Sequence, residues 1–329
     1  RPPPRSTLEA DRRQRQMCIR DSPDPVLSCE IPADGTYVLE IKDAVYRGRE
    51  DFVYRIALGE IPFVSSVYPL GGYAGEDTEV SLVGWNLPVN KLVLNGNRAL
   101  GGHRLLQLTS EVWAANTISF AEGLLPESFD AEPNDHREQA QLVKWPALVN
   151  GRINRAGDLD FFAIDAAAGD ELVVEVHARR LQSPLDSILE VTDARGQRVA
   201  VNDDNEDHGS GLTTHHADSR VLVTMPENGR YQLRLADTQR HGGDEYAYRL
   251  RIDRVRPDYE LRVVPSSINM PAGATLPITV YAMRRDGFDG DIQLSLAGDP
   301  RGFRLSGAWV PSGQDQVQLT LTAPPVGAD

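Results

Sequence analysis

Oxygen-bearing side chains in two short stretches carry the clearest chemical signal of this sequence. Four lie within residues 130–135 and two within residues 158–160. Alternate residues of a strand share a face, so the second pair is expected to point one way. Calcium prefers six to eight oxygen ligands, and neither stretch contains a cysteine or histidine. If the two stretches pack together, they predict a calcium site formed by Asp130, Glu132, Asn134, Asp135, Asp158 and Asp160.

The same residues allow a second interpretation. The sequence Glu132-Pro133-Asn134-Asp135 suits a turn that ends in a helix N-cap, and residues 135–143 carry a weak helical pattern. In that case the acidic side chains would cap a short helix and would not bind a cation. The sequence alone leaves both interpretations open.

Two further polar clusters suggest chemistry, but neither has the spacing of a known site. The acidic loop at 202–207 lacks the glycine and distal glutamate positions of an EF-hand, so a solvated loop is expected. His215 and His216 are adjacent, and neighbours on a strand face opposite ways, so they cannot chelate one ion without a bend. A hydrolytic site built from His215, His216 and Asp218 remains the enzymatic alternative within this chain.

Charge and hydropathy narrow the range of partners. The 329 residues carry a formal net charge of −14. Nucleic acids and anionic membrane surfaces attract basic patches, so neither is an expected partner. No apolar run reaches the roughly 18 residues of a transmembrane helix, and no membrane insertion is expected. The expected partners are an extracellular polymer or a neighbouring domain of the same protein.

The elements that must position these residues are strands. Apolar and polar residues alternate at 231–235 and 246–252, and Asp-Gly or Asn-Gly turns recur along the chain. Many short strands with such turns are typical of antiparallel sandwiches. The sequence therefore predicts an all-β chain of tandem antiparallel β-sandwiches, with a jelly-roll-like module flanked by immunoglobulin-like modules.

A long-period repeat supports the modular interpretation. Residues 24–58 align without a gap on residues 218–252, so that Tyr37 matches Tyr231 and Tyr54 matches Tyr248. Such repeats indicate strings of similar modules. The second copy has a lead-in from about 129, whereas the first has none, so we expect the chain to be a fragment. Cys29 aligns with Val223 and is predicted to be a small buried hydrophobe.

Two stretches resemble known families. The segment 62–87, which contains Val80-Ser81-Leu82-Val83-Gly84-Trp85-Asn86-Leu87, resembles the start of TIG/IPT immunoglobulin-like domains. The segment 129–255 is similar to the bacterial pre-peptidase C-terminal (PPC) domain. This likeness is carried by Glu132-Pro133-Asn134-Asp135, Gly157-Asp158-Leu159-Asp160-Phe161-Phe162 and Pro226-Glu227-Asn228-Gly229-Arg230-Tyr231.

The PPC resemblance implies a jelly-roll-like sandwich without catalysis of its own, appended to exported bacterial enzymes. In some relatives, calcium binds near the segment that matches Glu132-Pro133-Asn134-Asp135. The resulting segments are a basic tract at 1–22, the C-terminal half of a PPC-like sandwich at 23–60, a TIG/IPT-like sandwich at 61–128, a complete PPC-like sandwich at 129–256, and an immunoglobulin-like, truncated sandwich at 257–329. The basic tract is interpreted as artefactual or disordered, and a genuine linker is the alternative.

These patterns lead to one functional hypothesis and, besides the enzymatic alternative at His215, His216 and Asp218, two non-catalytic alternatives for this chain. The chain is expected to be a non-catalytic region of a larger exported bacterial protein, with a calcium-stabilised PPC module. One alternative is an accessory C-terminal region of a secreted peptidase whose catalytic domain lies outside this chain. The other is a purely structural cell-surface stalk. All three imply an extracellular, periplasmic or cell-surface location.

Overall fold

The computed structural model describes residues 26–42, 48–96, 102–109, 114–205, 218–298 and 301–325. Within these ranges the strands form six sheets, arranged as three successive sandwiches. The predicted all-β fold of tandem sandwiches is confirmed. No helix among the described residues is both long and apolar enough to cross a bilayer.

The first sandwich comprises residues 63–123. One three-stranded sheet has the order β1-β3-β4 and the other the order β2-β6-β5. Val80 and Leu82 alternate along β3 and pack in the core with Val64, Ile118 and Phe120. Its strands are β1 (Phe63–Tyr68), β2 (Gly71–Tyr73), β3 (Thr78–Trp85), β4 (Lys91–Leu94), β5 (Gly102–Thr109) and β6 (Ala114–Gly123).

The central sandwich, residues 127–254, holds the residues singled out above. Two five-stranded sheets, ordered β13-β12-β15-β10-β8 and β14-β11-β16-β9-β7, enclose the largest apolar cluster. Its strands are β7 (Glu127–Phe129), β8 (Gln141–Leu142), β9 (Ala147–Arg152), β10 (Leu159–Ala166), β11 (Glu171–His177), β12 (Ser187–Thr192), β13 (Arg198–Asn202), β14 (Arg220–Thr224), β15 (Gly229–Asp237) and β16 (Ala247–Arg254). Strand β7 begins two residues before the boundary expected at 129 and pairs in parallel with β9.

The last sandwich comprises residues 258–322. A four-stranded sheet ordered β17-β18-β22-β20 packs with the pair β19-β21. Apolar residues of β18 and β22, among them Ile278, Val280 and Leu319, form its core. Its strands are β17 (Asp258–Val264), β18 (Thr275–Arg285), β19 (Ile292–Gln293), β20 (Arg304–Ser306), β21 (Trp309–Val310) and β22 (Gln316–Thr322).

The first copy of the repeat differs from its expected structure. Residues 26–42 and 48–60 contain no strand. Tyr37 and Tyr54 are 38% and 73% exposed, whereas the matching Tyr231 and Tyr248 are 2% and 0% exposed. In the central sandwich, β15 and β16 each lie between two hydrogen-bonded neighbours. No such neighbours flank residues 26–60 in the described part of the chain, so the half sandwich expected at 23–60 shows no strands.

Two smaller expectations are wrong. Cys29 is exposed, because the strand that would bury it is not formed; Cys18 and the tract 1–22 lie outside the described residues. The weak helical pattern at 135–143, expected to give a turn or two, forms one 3-10 turn, Arg137–Gln139, before the chain extends into β8. Its capping position is His136, which makes no side-chain capping bond, so the N-cap interpretation of Asn134 and Asp135 is also wrong.

Candidate metal centre

Two elements of the central sandwich bring the acidic residues together. Asp130 directly follows β7, and its backbone N–H donates to the carbonyl oxygen of Asn150 on β9 at 2.9 Å. Asp160 is the second residue of β10, where alternation places it on the same face as Phe162 and Ile164. All three side chains on this face are fully buried. The strand pattern therefore directs one carboxylate into the core, beside the loop that follows β7.

Three carboxylates converge at this point. Oxygen atoms of Asp130, Glu132 and Asp160 all lie within 4.8 Å of one another. Asp160 is buried, Asp130 is partly buried and Glu132 is exposed. The cluster thus extends from the core to the surface and opens to solvent on the side of Glu132.

Asn134 organises the loop around the cluster. Its backbone N–H donates to Glu132 Oε2 at 3.0 Å, and its Nδ2 donates to Asp130 Oδ1 at 2.6 Å. The side chain is fully buried, and its Oδ1 has no hydrogen-bond partner among the described residues. A buried amide oxygen without a donor is costly unless another positive group meets it. Asn134 therefore offers a fourth oxygen to the cluster.

Among the three clustered carboxylates, Asp160 lies in the surroundings that most disfavour its charged form. Its Oδ2 accepts a hydrogen bond from the hydroxyl of Tyr248 on β16, and its Oδ1 has no donor in the described part of the chain. Burial, followed by the charge of Asp130, raises the pKa of Asp160 to about 9. Burial and the charge of Glu132 raise the pKa of Asp130 to about 7. The clustered carboxylates therefore cannot all ionise readily at neutral pH unless a cation offsets their burial and their mutual repulsion.

The other two predicted ligands form a separate group. Asp135 Oδ2 accepts from Arg155 Nη2 at 2.7 Å, and Arg155 Nε lies 3.6 Å from Asp158 Oδ1. Asp158 precedes β10, and its Oδ2 accepts the backbone N–H of Asn154 at 2.6 Å. Asn154 Nδ2 donates to Glu132 Oε1 at 2.8 Å and so links the two groups. Arg155 balances this second pair, whereas no arginine or lysine bonds to the first cluster among the described residues.

A tyrosine that the sequence did not single out completes the surroundings. Tyr68, the last residue of β1 in the first sandwich, donates its hydroxyl to Asn150 O at 3.1 Å. Burial raises its pKa, while Arg152 lowers it and the charges of Asp130 and Asp160 raise it further. No local pattern marks Tyr68, because its role depends on the packing of two modules. Tyr248 could have been noticed, since the repeat matches it to Tyr54.

The remaining candidate clusters have structural partners or lie outside the described residues. His215 and His216 belong to the second category. Asp218 is fully buried and pairs with Arg180 Nε at 2.6 Å. In the acidic loop, Asn202 Oδ1 caps the backbone N–H of Arg220 at 2.8 Å. Both described groups therefore hold the ends of the loop to the sandwich.

Comparisons with known proteins give partial likenesses. No family model matches the chain. A curated relative, a probable subtilase-type serine protease of Deinococcus radiodurans, is 31% identical over 108 residues, which is 32% of this chain. The chain spans only 14% of that relative's length.

Two solved structures are also similar over part of the chain. The pre-peptidase C-terminal domain of a Bacillus anthracis collagenase aligns with 11% identity and a TM-score of 0.28, covering 37% of this chain and 99% of that domain. PliG of Aeromonas hydrophila, a periplasmic inhibitor of g-type lysozyme, aligns with 12% identity and a TM-score of 0.27, covering 39% of this chain and 97% of the inhibitor.

Proposed function

We propose that this chain is a non-catalytic β-sandwich region of a larger exported bacterial protein, and that its central, PPC-like sandwich binds one calcium ion for rigidity. The observation that carries the proposal is the buried carboxylate of Asp160. The Oδ1 atom of Asp160 accepts no hydrogen bond from the described residues, and the carboxylate lies beside those of Asp130 and Glu132. Burying such a group is costly unless an opposite charge accompanies it.

The donor set is suited to a hard cation. Asp130, Glu132, Asn134 and Asp160 offer oxygen atoms only, which favours calcium over zinc or copper. A bound calcium ion would supply the positive charge that keeps the clustered carboxylates ionised. Within the chain, Tyr248 orients Asp160, Asn134 orients Asp130 and Asn154 orients Glu132. Asp135 and Asp158 pair with Arg155 and form a separate group next to these four residues.

The test is a thermal melt of the whole chain in EDTA and again with calcium. A ligand that binds only the native state stabilises it by about 2.7 kcal/mol at roughly 100 times its Kd. We expect calcium to raise the melting temperature of the native chain and to have no effect on Asp160→Asn. Asp165→Asn is the matched control, because Asp165 lies on the same strand but is exposed and pairs with Arg230 at 2.9 Å.

Three results would contradict the proposal. One is no calcium-dependent shift up to millimolar concentration, the range in which extracellular modules bind. A second is an equal shift in Asp160→Asn and in the native chain, which would place the ion elsewhere. A third is loss of the shift in Asp165→Asn, which would mean that the effect reports general charge rather than this cluster.

A second candidate function is the accessory region of a secreted peptidase. The 108-residue match to a probable subtilase-type serine protease favours it. We expect the chain alone to leave casein intact, and the full-length gene product to cleave casein and to react with a fluorophosphonate serine probe. Cleavage by the chain alone would refute its non-catalytic role, and an inert full-length product would leave the binding or stalk role.

A further inference from the structure

The proposed calcium ligands lie at the boundary between the first and central sandwiches. Strand β7 leads from one sandwich into the other, and Asp130 follows it directly. Asn150 O, on β9, accepts two hydrogen bonds. One comes from the backbone N–H of Asp130 at 2.9 Å and the other from the hydroxyl of Tyr68 at 3.1 Å. A single carbonyl therefore contacts both a proposed ligand residue and the first sandwich.

Tyr68 is held on both sides by the central sandwich. The guanidinium carbon of Arg152 lies 4.0 Å from the centre of its ring. The ring of Phe129, the last residue of β7, meets it edge-on with centroids 6.3 Å apart. Tyr68 therefore contacts both β7 and β9, and the pairing of these two strands keeps its contact residues side by side.

A second chain of contacts joins the same strand to the first sandwich. Glu127, the first residue of β7, accepts from Asn150 Nδ2 at 2.8 Å and from Arg249 Nη2 at 2.7 Å. Arg249 is only 1% exposed, and its guanidinium lies so close to Gly71 of β2 that any side chain there would collide with it. One end of β7 therefore contacts Tyr68 of the first sandwich, and the other contacts Arg249 of β16, which packs against the first sandwich.

These contacts point to a coupling between two events. We propose that calcium binding and docking of the first sandwich stabilise each other through β7, an inference that rests on the calcium site proposed above. Calcium fixes Asp130, which holds β7 on β9 and so maintains the contacts of Tyr68 and Arg249. Coupling of this kind is reciprocal, so loosening the first sandwich must weaken calcium binding by the same factor.

The test measures calcium affinity by titration calorimetry on the full chain and two tyrosine variants. Tyr68→Phe removes only the hydroxyl that bonds Asn150 O and keeps the ring. Tyr73→Phe is the matched control, because Tyr73 lies on β2 of the same sandwich, is 39% exposed and is not part of these contacts. We expect Kd to rise about fivefold in Tyr68→Phe, at the lower end of typical couplings, and to stay unchanged in Tyr73→Phe.

Hydrogen exchange supplies a second readout, which reports directly on the first sandwich. Calcium is expected to slow amide exchange in β1 and β2 of the native chain, and to do so less in Tyr68→Phe. Coupling is refuted if calcium binds with equal affinity to all three proteins and leaves exchange in β1 and β2 unchanged; the calcium site itself then stands. If no protein binds calcium, both the site and the coupling fail.

Discussion

At the scale of single residues, Tyr248 connects the apolar core of the central sandwich to the carboxylate cluster of the proposed calcium site. It is fully buried and donates its hydroxyl to Asp160. Its ring lies over Gly151 of the neighbouring strand β9, so closely that a Cβ at position 151 would overlap the ring. The glycine therefore leaves the space that lets the tyrosine reach the carboxylate.

Substitution of Gly151 tests this arrangement. Gly151→Ala is expected to displace the Tyr248 ring, weaken its bond to Asp160 and cost about 1–3 kcal/mol, as overpacking of a dense core does. It should also reduce the calcium-dependent rise in melting temperature. Thermal unfolding in EDTA and in calcium measures both effects.

Gly229 provides the control for that experiment. It begins β15 in the same sandwich, and an added Cβ would meet no atom within 4 Å. Gly229→Ala should leave stability and the calcium effect nearly unchanged. Equal melting temperatures for Gly151→Ala and the native chain would show that Tyr248 does not depend on the glycine.

The sequence predicted which side chains lie near the proposed site better than it predicted how they are arranged there. The oxygen-rich composition of residues 130–135 and 158–160 identified all the acidic side chains near the centre. It could not separate Asp135 and Asp158 from the others, because that division depends on where Arg155 lies. Nor could it identify Tyr68, which comes from another sandwich and is more than sixty residues distant in sequence.

At the scale of elements, alternation predicted the long strands well. On β15, Tyr231, Leu233 and Leu235 are buried, whereas Gln232 and Arg234 are partly exposed, as period-two alternation requires. Short edge strands such as β7 and β8 have too few residues to show a period. Yet β7 positions Asp130, so the element nearest the proposed site is the one that the sequence reveals least.

The repeat shows the limit of local pattern. Residues 24–58 and 218–252 share the same strand signals, but only the second copy forms strands among the described residues. The difference lies in their neighbours, since β15 and β16 pair with strands on both sides. A buried backbone needs hydrogen-bond partners, and these partners come from distant parts of the chain. Sequence similarity therefore predicted that both copies favour strands, but it could not predict which copy forms them.

At the scale of the whole molecule, buried ion pairs join the central sandwich to the last one. Asp286, in the turn that directly follows β18, is 3% exposed. It accepts hydrogen bonds from Arg220 Nη2 at 2.6 Å, Arg251 Nη2 at 3.0 Å and the backbone N–H of Arg256 at 3.2 Å. The Asp286 carboxylate thus neutralises arginine side chains of β14 and β16. It also binds the backbone at Arg256, where the chain passes into the last sandwich. The sequence showed an acidic Asp-Gly turn here but not its partners.

Asp286→Asn tests whether this contact couples the unfolding of the two sandwiches. Asp286 has a φ of 50°, a left-handed conformation that asparagine also tolerates, so the backbone should persist while the charge is lost. Removing one partner of a buried ion pair costs about 3–5 kcal/mol. We expect the lower end of that range, because Arg251 keeps its pairs with Glu175 and Asp253 and the loss falls mainly on Arg220. In scanning calorimetry we expect the last sandwich to unfold in a separate transition at lower temperature.

Glu260→Gln, which removes an exposed pair with Arg285 at 2.9 Å, should cost at most about 1 kcal/mol and leave the transitions unchanged. If the two variants melt alike, Asp286 does not couple the sandwiches, and the proline-bounded junction at 254–257 alone must define their relation.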